Sequence, residues 1–269
     1  MKILEKKKID IVLKIARQAG EILLRHYNGS VTDKVWHKKH NEAVSSADIA
    51  SDKFIIKELQ KNFPGDEILT EESGDIGSAA GVGGANVKSE RLWVIDPLDG
   101  TSNFLHKNPI FGVNIALAEH GKIIFGVTYL PVSRELFWAI KGKGAWLNGK
   151  LIYVSKTKKL KDALVNACYG HDPKYKRRDY HVAREVDKHS RFTRRPGAAC
   201  FELATVAMGG SDATYILGTR PWDSAPGSLI VTEAGGVATN LKGEPWKLFD
   251  ENIVVSNGKI HIELLKLLK

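Results

Sequence analysis

Only two cysteines, Cys168 and Cys200, occur in 269 residues. That scarcity excludes a disulfide-stapled scaffold. Both thiols stand among apolar neighbours, which predicts buried, inert groups in a reducing compartment. No apolar run is long enough to cross a bilayer. Met1 to Lys8 has basic residues but no apolar core behind them, so no signal peptide is expected and the predicted location is cytoplasmic. No internal repeat is evident. The glycine-rich segment from Ile76 to Val87 matches neither a dinucleotide fingerprint nor a P-loop. Acids are the minority sign: 31 Asp and Glu against 40 Lys and Arg, a net charge of +9. The basic runs Lys6 to Lys8 and Lys156 to Lys161 carry no interleaved aromatics. They predict a solvated surface that steers anionic substrates rather than a nucleic-acid footprint. The length and a hydrophobic content of 43% suffice for a substantial core, in one large domain or two lobes.

What is present is organised around Leu92 to Phe104. Leu92 to Ile95 reads as a strand buried on both faces. Asp96 stands where that strand leaves the sheet, and Pro97 turns the chain. Asp99, Gly100 and Thr101 follow. Two carboxylates on a rigid turn make a hard-oxygen site of the kind magnesium prefers. The amides of Gly100 and Thr101 are placed to hold an anion. Asp, Pro and Gly also favour ordinary surface turns. A turn alone does not account for two acids, a glycine and a hydroxyl behind a buried strand, and the combination points to phosphate chemistry.

Around this stretch the pattern alternates. Apolar spacing predicts a helix over Ile9 to Tyr27. Trp36 to Asn41, with His37, Lys38, Lys39 and His40, reads as a loop or hairpin tip. A second helix runs from Ala47 to Asn62, capped by Ser45 or Ser46, and residue physics alone gives Asp48 to its dipole. Glu67 to Thr70 is strand-like with Glu71 and Glu72 at its end. Ile76 to Val87 is expected to be a mobile lid. Strands follow at Phe111 to Ala118, Lys122 to Leu130 and Glu135 to Ile140, then a hairpin with an Asn148-Gly149 turn. Lys156 to Lys161 crosses to a second lobe, dividing the chain into 1–155 and 156–269. There, strands are expected at Ala163 to Tyr169, Ala213 to Leu217 and Ile253 to Ser256. Helices are expected at Asp179 to His189, Cys200 to Met208, Ser224 to Ala234 and Ile260 to Leu268, with Arg191 to Arg195 a basic edge. Asp223 by itself reads as an N-cap. The fold class is α+β / α/β, in layers.

Asp96-Pro97-Leu98-Asp99-Gly100-Thr101-Ser102-Asn103-Phe104 resembles the first signature of the inositol monophosphatase family, magnesium-dependent and lithium-sensitive phosphatases. Trp222-Asp223-Ser224-Ala225-Pro226-Gly227, continuing to Thr232-Glu233-Ala234-Gly235-Gly236, resembles the second. Glu71-Glu72-Ser73 and Ser45-Ser46-Ala47-Asp48 occupy two further family positions. The resemblance implies an αβαβα stack in two lobes with the site at their junction, two to three magnesium ions, and a homodimer. It implies that Glu71, Asp96 and the Leu98 carbonyl bind the first metal, and Asp96, Asp99 and Asp223 the second. Thr101, hydrogen-bonded to Asp48, would help Glu71 deprotonate the attacking water, while Gly100 and Thr101 amides hold phosphate. Attack would be direct and in line.

Substrate recognition departs from the family pattern. Ile216 stands where inositol-preferring members have a glutamate, and Gly197-Ala198-Ala199 lacks the hydroxyl of the usual turn. His37 stands where the family has a lysine, leaving Lys38 or Lys39 for that role. Arg194, Arg195 and Arg220 suit a second phosphate. Asp99, Gly100, Thr101, Gly197, Ala198, Arg194, Arg220 and Asp223 are therefore the expected substrate contacts. The expected substrate is inositol-1-phosphate or a related sugar or polyol phosphate, with no membrane partner. A bisphosphatase acting on fructose-1,6-bisphosphate or 3′-phosphoadenosine-5′-phosphate is the alternative. A nucleic-acid-binding regulatory protein on a phosphatase fold is the reading from a different class.

Overall fold

The computed structural model describes residues 5–32, 34–38, 43–76 and 90–268. Helix α1 (Lys6–Tyr27) buries the stripe Ile9, Val12, Leu13, Ala16, Ala19 and Leu23. Gly20 interrupts it because the Tyr129 ring lies where a Cβ would go, 2.5 Å away. Strands β1 (Val35–His37) and β2 (Ala43–Ser45) pair as a hairpin. Helix α2 (Ser46–Asn62) starts at the Ser45 cap: the Ser45 hydroxyl accepts from Ala47 N at 3.2 Å. The Asp48 carboxylate accepts from Ser45 N at 2.8 Å, a reciprocal arrangement that satisfies two orphan amides.

Strands β3 (Glu67–Thr70), β4 (Gly74–Ile76) and β5 (Arg91–Asp99) precede the short helix α3 (Thr101–Leu105). Then come β6 (Gly112–Glu119), β7 (Lys122–Leu130), β8 (Glu135–Ile140), β9 (Gly144–Leu147) and β10 (Lys150–Leu151). These form an eight-stranded sheet in the order β10-β9-β8-β7-β6-β5-β3-β4. All neighbours are antiparallel except β3 and β5. The rest of the chain gives β11 (Leu164–Tyr169), α4 (Pro173–His189), β12 (Phe192–Arg194), α5 (Ala199–Ala207) and β13 (Ala213–Leu217). It closes with α6 (Pro221–Glu233), β14 (Val237–Thr239), β15 (Asn252–Ser256) and α7 (His261–Leu267). The second sheet has the order β12-β11-β13-β15-β14.

Five layers result, as the αβαβα expectation has it. α1 and α2 cover one face of the large sheet, and α5 and α6 fill the space between the two sheets. α4 and α7 cover the outer face of the second sheet. Apolar clusters occupy every interlayer, with Trp93, Phe104, Phe111 and Phe125 fully buried beneath α1 and α2.

Three expectations are corrected. β5 does not end before Asp96; it runs on through Asp99, because a register shift between Asp96 and Asp99 lets the Pro97 position escape pairing. α4 begins at Pro173, not Asp179, since the Asp172 side chain caps it from Lys174 N at 2.9 Å and Pro suits the first turn. α6 begins at Pro221, so Asp223 lies in its first turn rather than before it. The tip residues Lys39 and His40, and the glycine-rich lid after Ile76, lie outside the described residues.

Candidate active site

The register of the large sheet assembles the first half of the site. Thr70 pairs with Ile95 across parallel β3 and β5, so Glu71 and Asp96 emerge side by side. Glu71 N donates to Ile95 O at 3.2 Å, fixing that adjacency. Asp96 is 1% exposed and Asp99 9%. The bulge between them turns Asp96 Oδ1 onto Leu98 N, 3.1 Å away. Gly100 then takes φ +88°, and a Cβ there would lie 2.9 Å from Ile110 O and 3.0 Å from the Ala198 Cβ. Only glycine fits that turn. Thr101 opens α3, and its hydroxyl reaches Leu98 O at 3.0 Å or Asp48 Oδ1 at 3.1 Å. Asp48 is held in turn by the Ser45 hydroxyl at 2.6 Å and amide at 2.8 Å. Thr101 and Asp48 thus meet as the resemblance implies. Ser51 donates to Pro97 O at 2.9 Å, tying α2 to the same turn.

The second half comes from the layer shared by both sheets. The first two amides of α5, Ala199 N and Cys200 N, donate to the two Asp99 oxygens. A helix N-terminus is a natural partner for a carboxylate. Asp223 in the first turn of α6 accepts from Arg220 N at 2.8 Å. The segment before α6 is clamped: Gly218 lies under the Tyr175 ring, Thr219 N donates to Glu251 O at 2.9 Å, and Thr219 and Ser224 hydroxyls meet at 2.5 Å.

Asp96 sits electrostatically at the centre. Burial pushes its carboxyl well above the usual range, and Glu71, Asp99, Asp223 and Asp48 push it further. Burial also raises Asp99, against the pull of the Cys200 and Ala199 amides, and raises Asp48 against Ser45 and Thr101. Among the described residues, no three of these side chains converge as a ready-formed ligand cluster. Asp96, Asp99 and Asp223 each accept from backbone amides instead. The donors are nonetheless all hard oxygens, and Asp96 and Asp99 among them are buried. That is an arrangement a divalent cation of the magnesium type stabilises and no uncharged ligand does.

Other expected residues are placed as follows. Lys38 Nζ reaches Glu72 Oε1 at 2.6 Å and Glu71 Oε1 at 3.6 Å, so this lysine lies beside the acidic set. His37, on β1, is exposed. Gly197 is exposed with φ +78°, and Ala198 is buried. Ile216 is 2% exposed, opposite Cys168 on β11. Arg195 is drawn into an ion pair with fully buried Asp179, 2.6 Å away, which also accepts from Tyr215 OH at 3.0 Å. Arg194 lies on edge strand β12 against the Phe192 ring. Both arginines line a hollow of about 370 Å³ with Ile110, Asn166, Pro196 and Phe201. Arg220 is exposed at the start of α6. Cys200 is buried, Cys168 half-buried, both are free thiols, and burial raises both.

Three supporting residues escaped the sequence reading. Glu202 was visible as a lone acid in an otherwise apolar helix; it is fully buried, accepts from Gly197 N at 3.2 Å and lies 3.0 Å from Thr214 Oγ1. Asn103 had no such signal: its amide bridges Ile110 O at 2.9 Å and Pro196 O at 2.8 Å, tying the two halves together. Neither had Asp52, buried one turn after Asp48 and bonded by Ser73.

Comparison with known proteins follows the same geometry. The model of the inositol monophosphatase family matches residues 5–269. A fructose-1,6-bisphosphatase/inositol-1-monophosphatase of Thermotoga maritima is 33% identical over 259 residues, covering 96% of this chain and 94% of that protein. A Nus factor SuhB of Xylella fastidiosa is 38% identical over 243 residues, 89% of this chain and 84% of its own. The crystal structure of the extragenic suppressor protein suhB from Bartonella henselae superimposes with a TM-score of 0.89 at 36% identity, covering 97% of this chain and 98% of that one.

Proposed function

The chain belongs to the inositol monophosphatase family, and from that premise we propose that it is a magnesium-dependent phosphomonoester hydrolase of small sugar or polyol phosphates. The observation that carries this reading is Asp96, buried among Glu71, Asp99, Asp223 and Asp48. Glu71, Asp96 and the Leu98 carbonyl would hold one cation; Asp96, Asp99 and Asp223 would hold a second, and Glu71 would contribute to a third. Magnesium, when bound, lowers the pKa of water and neutralises phosphoryl charge. Thr101, tethered to Asp48 at 3.1 Å, and Glu71 orient the attacking water, whose proton passes to a Glu71 carboxylate oxygen. The Gly100 and Thr101 amides hold the phosphoryl oxygens, with Asp99 and Asp223 flanking the ester. Water attacks phosphorus in line with the departing alkoxide, and no phosphoenzyme forms.

The lobes 1–155 and 156–269 meet at the α5–α6 layer, and the substrate enters there past Gly197, Ala198, Arg194 and Arg220. A homodimer is proposed on family membership alone. No described helix is long and apolar enough to cross a membrane. The free thiols support a reducing, cytoplasmic location.

Ile216 favours a second reading. Its side chain accepts no hydrogen bond from a polyol hydroxyl, and the Thermotoga relative is named for both activities. A bisphosphate would instead recruit Arg194 or Arg220. Phosphate release from inositol-1-phosphate, fructose-1,6-bisphosphate, 3′-phosphoadenosine-5′-phosphate and histidinol phosphate at fixed magnesium tests both readings. Release from a monophosphate above the bisphosphates supports the first and the reverse order the second. No release from any, with magnesium bound, overturns the hydrolase assignment and turns attention to the relatives named Nus factor.

A further inference from the structure

Asp223 reaches the site on α6, and the connection that delivers it, Gly218-Thr219-Arg220, belongs to no helix or strand. The Asp223 carboxylate accepts from Arg220 N at 2.8 Å, so its angle depends on where that connection is held. Several neighbours hold it. Gly218 takes φ +77°, and the Tyr175 ring fills the space a Cβ would need, its Cγ 2.7 Å from that position. Tyr175 OH donates to Glu251 Oε2 at 2.7 Å, and Glu251 O accepts from Thr219 N at 2.9 Å. Asn252 Oδ1 accepts from Gly218 N at 3.2 Å. Gly170 N, just past β11, donates to Leu217 O at 2.7 Å, and the Gly218 carbonyl oxygen lies where a Cβ on Gly170 would go. The buried Thr219 and Ser224 hydroxyls meet at 2.5 Å and tie the connection to α6.

Tyr175 is the third residue of α4, placed there by the Asp172 cap. The core contact of that helix is supplied by fully buried Val186 and by Val182. Tyr175 is only half-buried, with Lys174 Nζ lying 4.6 Å from its ring centre. A ring in that position adds little to the core. Its two specific contacts, the ring on Gly218 and the hydroxyl on Glu251, both bear on the segment that ends at Asp223.

We propose that Tyr175, latched to Glu251, is a positioning residue for Asp223. The latch fixes Gly218 to Arg220 and with them the angle at which the Asp223 carboxylate meets a divalent cation. The inference rests on the metal reading of the site given above. Magnesium demands near-ideal octahedral geometry, so a carboxylate held at the wrong angle loses much of its grip. Outer partners that orient metal-binding side chains carry about ten- to hundredfold in affinity or activity. Ser224 anchors the connection from α6, and the latch anchors it from α4.

The test is calorimetric titration of the full-length chain with magnesium chloride, alongside phosphate release. Asp223→Asn should remove one binding step and so identify it. Tyr175→Ala should weaken that same step about tenfold and raise the magnesium concentration for half-maximal phosphate release by a similar factor. Tyr175→Phe keeps the ring and loses the hydroxyl, and should weaken the step roughly two- to fivefold. Glu251→Ala should match Tyr175→Phe, and the double variant should be no worse than either. Glu251→Gln, whose amide oxygen still accepts, should bind as the wild type does. Val186→Ala empties core space about three turns along the same helix, and should lower Tm without moving magnesium affinity. Unchanged magnesium affinity in Tyr175→Ala, or an equal loss in Val186→Ala, overturns the proposal and leaves the hydrolase reading standing. Magnesium binding without phosphate release in the wild type removes the hydrolase reading, and the calorimetric comparison still decides the proposal. A wild type that takes up no magnesium overturns both.

Discussion

Glu202 allows the sharpest test of how the site is supported. Full burial on α5 pushes its carboxyl up to about 8; Thr214 and the Gly197 amide pull it down, Asp99 pushes it up and Arg195 pulls it down. The unfolded value is 4.5. The folded state therefore holds the proton more tightly, and Glu202 contributes stability that is fully present below pH 4.5 and lost as pH rises through about 8. The whole shift corresponds to about 5 kcal/mol, of which roughly 2–3 kcal/mol falls between about pH 6 and pH 9. For a chain of this size that is a fall in Tm of about 5–10 °C. The hydrogen-bond geometry fits a neutral acid. One oxygen accepts from Gly197 N, and the other faces Thr214 Oγ1, which has Asn166 O at 3.2 Å for its own proton. Glu202→Gln supplies the same pattern without a charge to acquire. Melting curves of both proteins in chelator, from pH 5 to pH 9, isolate the effect because every other carboxylate is common to both. The wild type should lose about 5–10 °C more than the variant between about pH 6 and pH 9. Parallel curves would refute the reasoning, since Glu202 would then be equally ionised in the folded and unfolded chain.

The remaining predictions concern the acidic set and its turn. Thr101→Val removes the donor 3.1 Å from Asp48, and kcat should fall about 10²–10⁴-fold with little change in KM. Asp48→Asn should fall comparably, and the double variant should be no worse than the poorer single one; multiplying losses in a double-mutant cycle would sever the pair. Gly100→Ala places a Cβ 2.9 Å from Ile110 O at φ +88°, so the left-handed turn alone costs about 1–2 kcal/mol. Thermal melts should show the loss, and an unchanged Tm would mean the turn relaxes freely. Asp96→Asn removes the central repulsion, so without magnesium the variant should melt at or above the wild-type temperature. The wild type should gain about 2.7 kcal/mol at a magnesium concentration of 100 times Kd, the variant much less, and turnover should vanish. Near-normal turnover would overturn the metal assignment.

The sequence disclosed the acids and their order but not how they are held. Buried β5, the Pro97 turn and the αL glycine follow from local chemistry, and the two signatures supply the rest of the family's acidic set. Strands of five or more residues and long amphipathic helices were legible because their periodicity is strong. The three-residue strands β4, β12 and β14 were not, since so few residues carry no period and owe their existence to a neighbouring strand. The grip of α5 on Asp99 was illegible for another reason. It joins residues a hundred positions apart through backbone amides, which leave no mark on side-chain identity.

The α5–α6 layer explains why chemistry and specificity can separate in this chain. The layer packs on both sheets and also delivers Asp223 and the amides that hold Asp99. Its fit is tight: a Cβ on Gly126 would lie 2.8 Å from Pro226 Cα, and one on Gly227 would lie 2.5 Å from the Leu203 side chain. A substitution that shifted either helix would move the acids and loosen both cores at once. The departures at Ala198 and Ile216 do neither. Ala198 is buried beneath Gly100, and Ile216 packs in the apolar cluster between the sheets, so both fill space that a polar group would have to be hydrogen-bonded to occupy. Returning a glutamate to position 216 would therefore test whether the missing hydroxyl acceptor sets specificity. If Ile216→Glu raises kcat/KM for inositol-1-phosphate without raising it for fructose-1,6-bisphosphate, the pocket is read by that one side chain. If it lowers both alike, Ile216 serves packing alone.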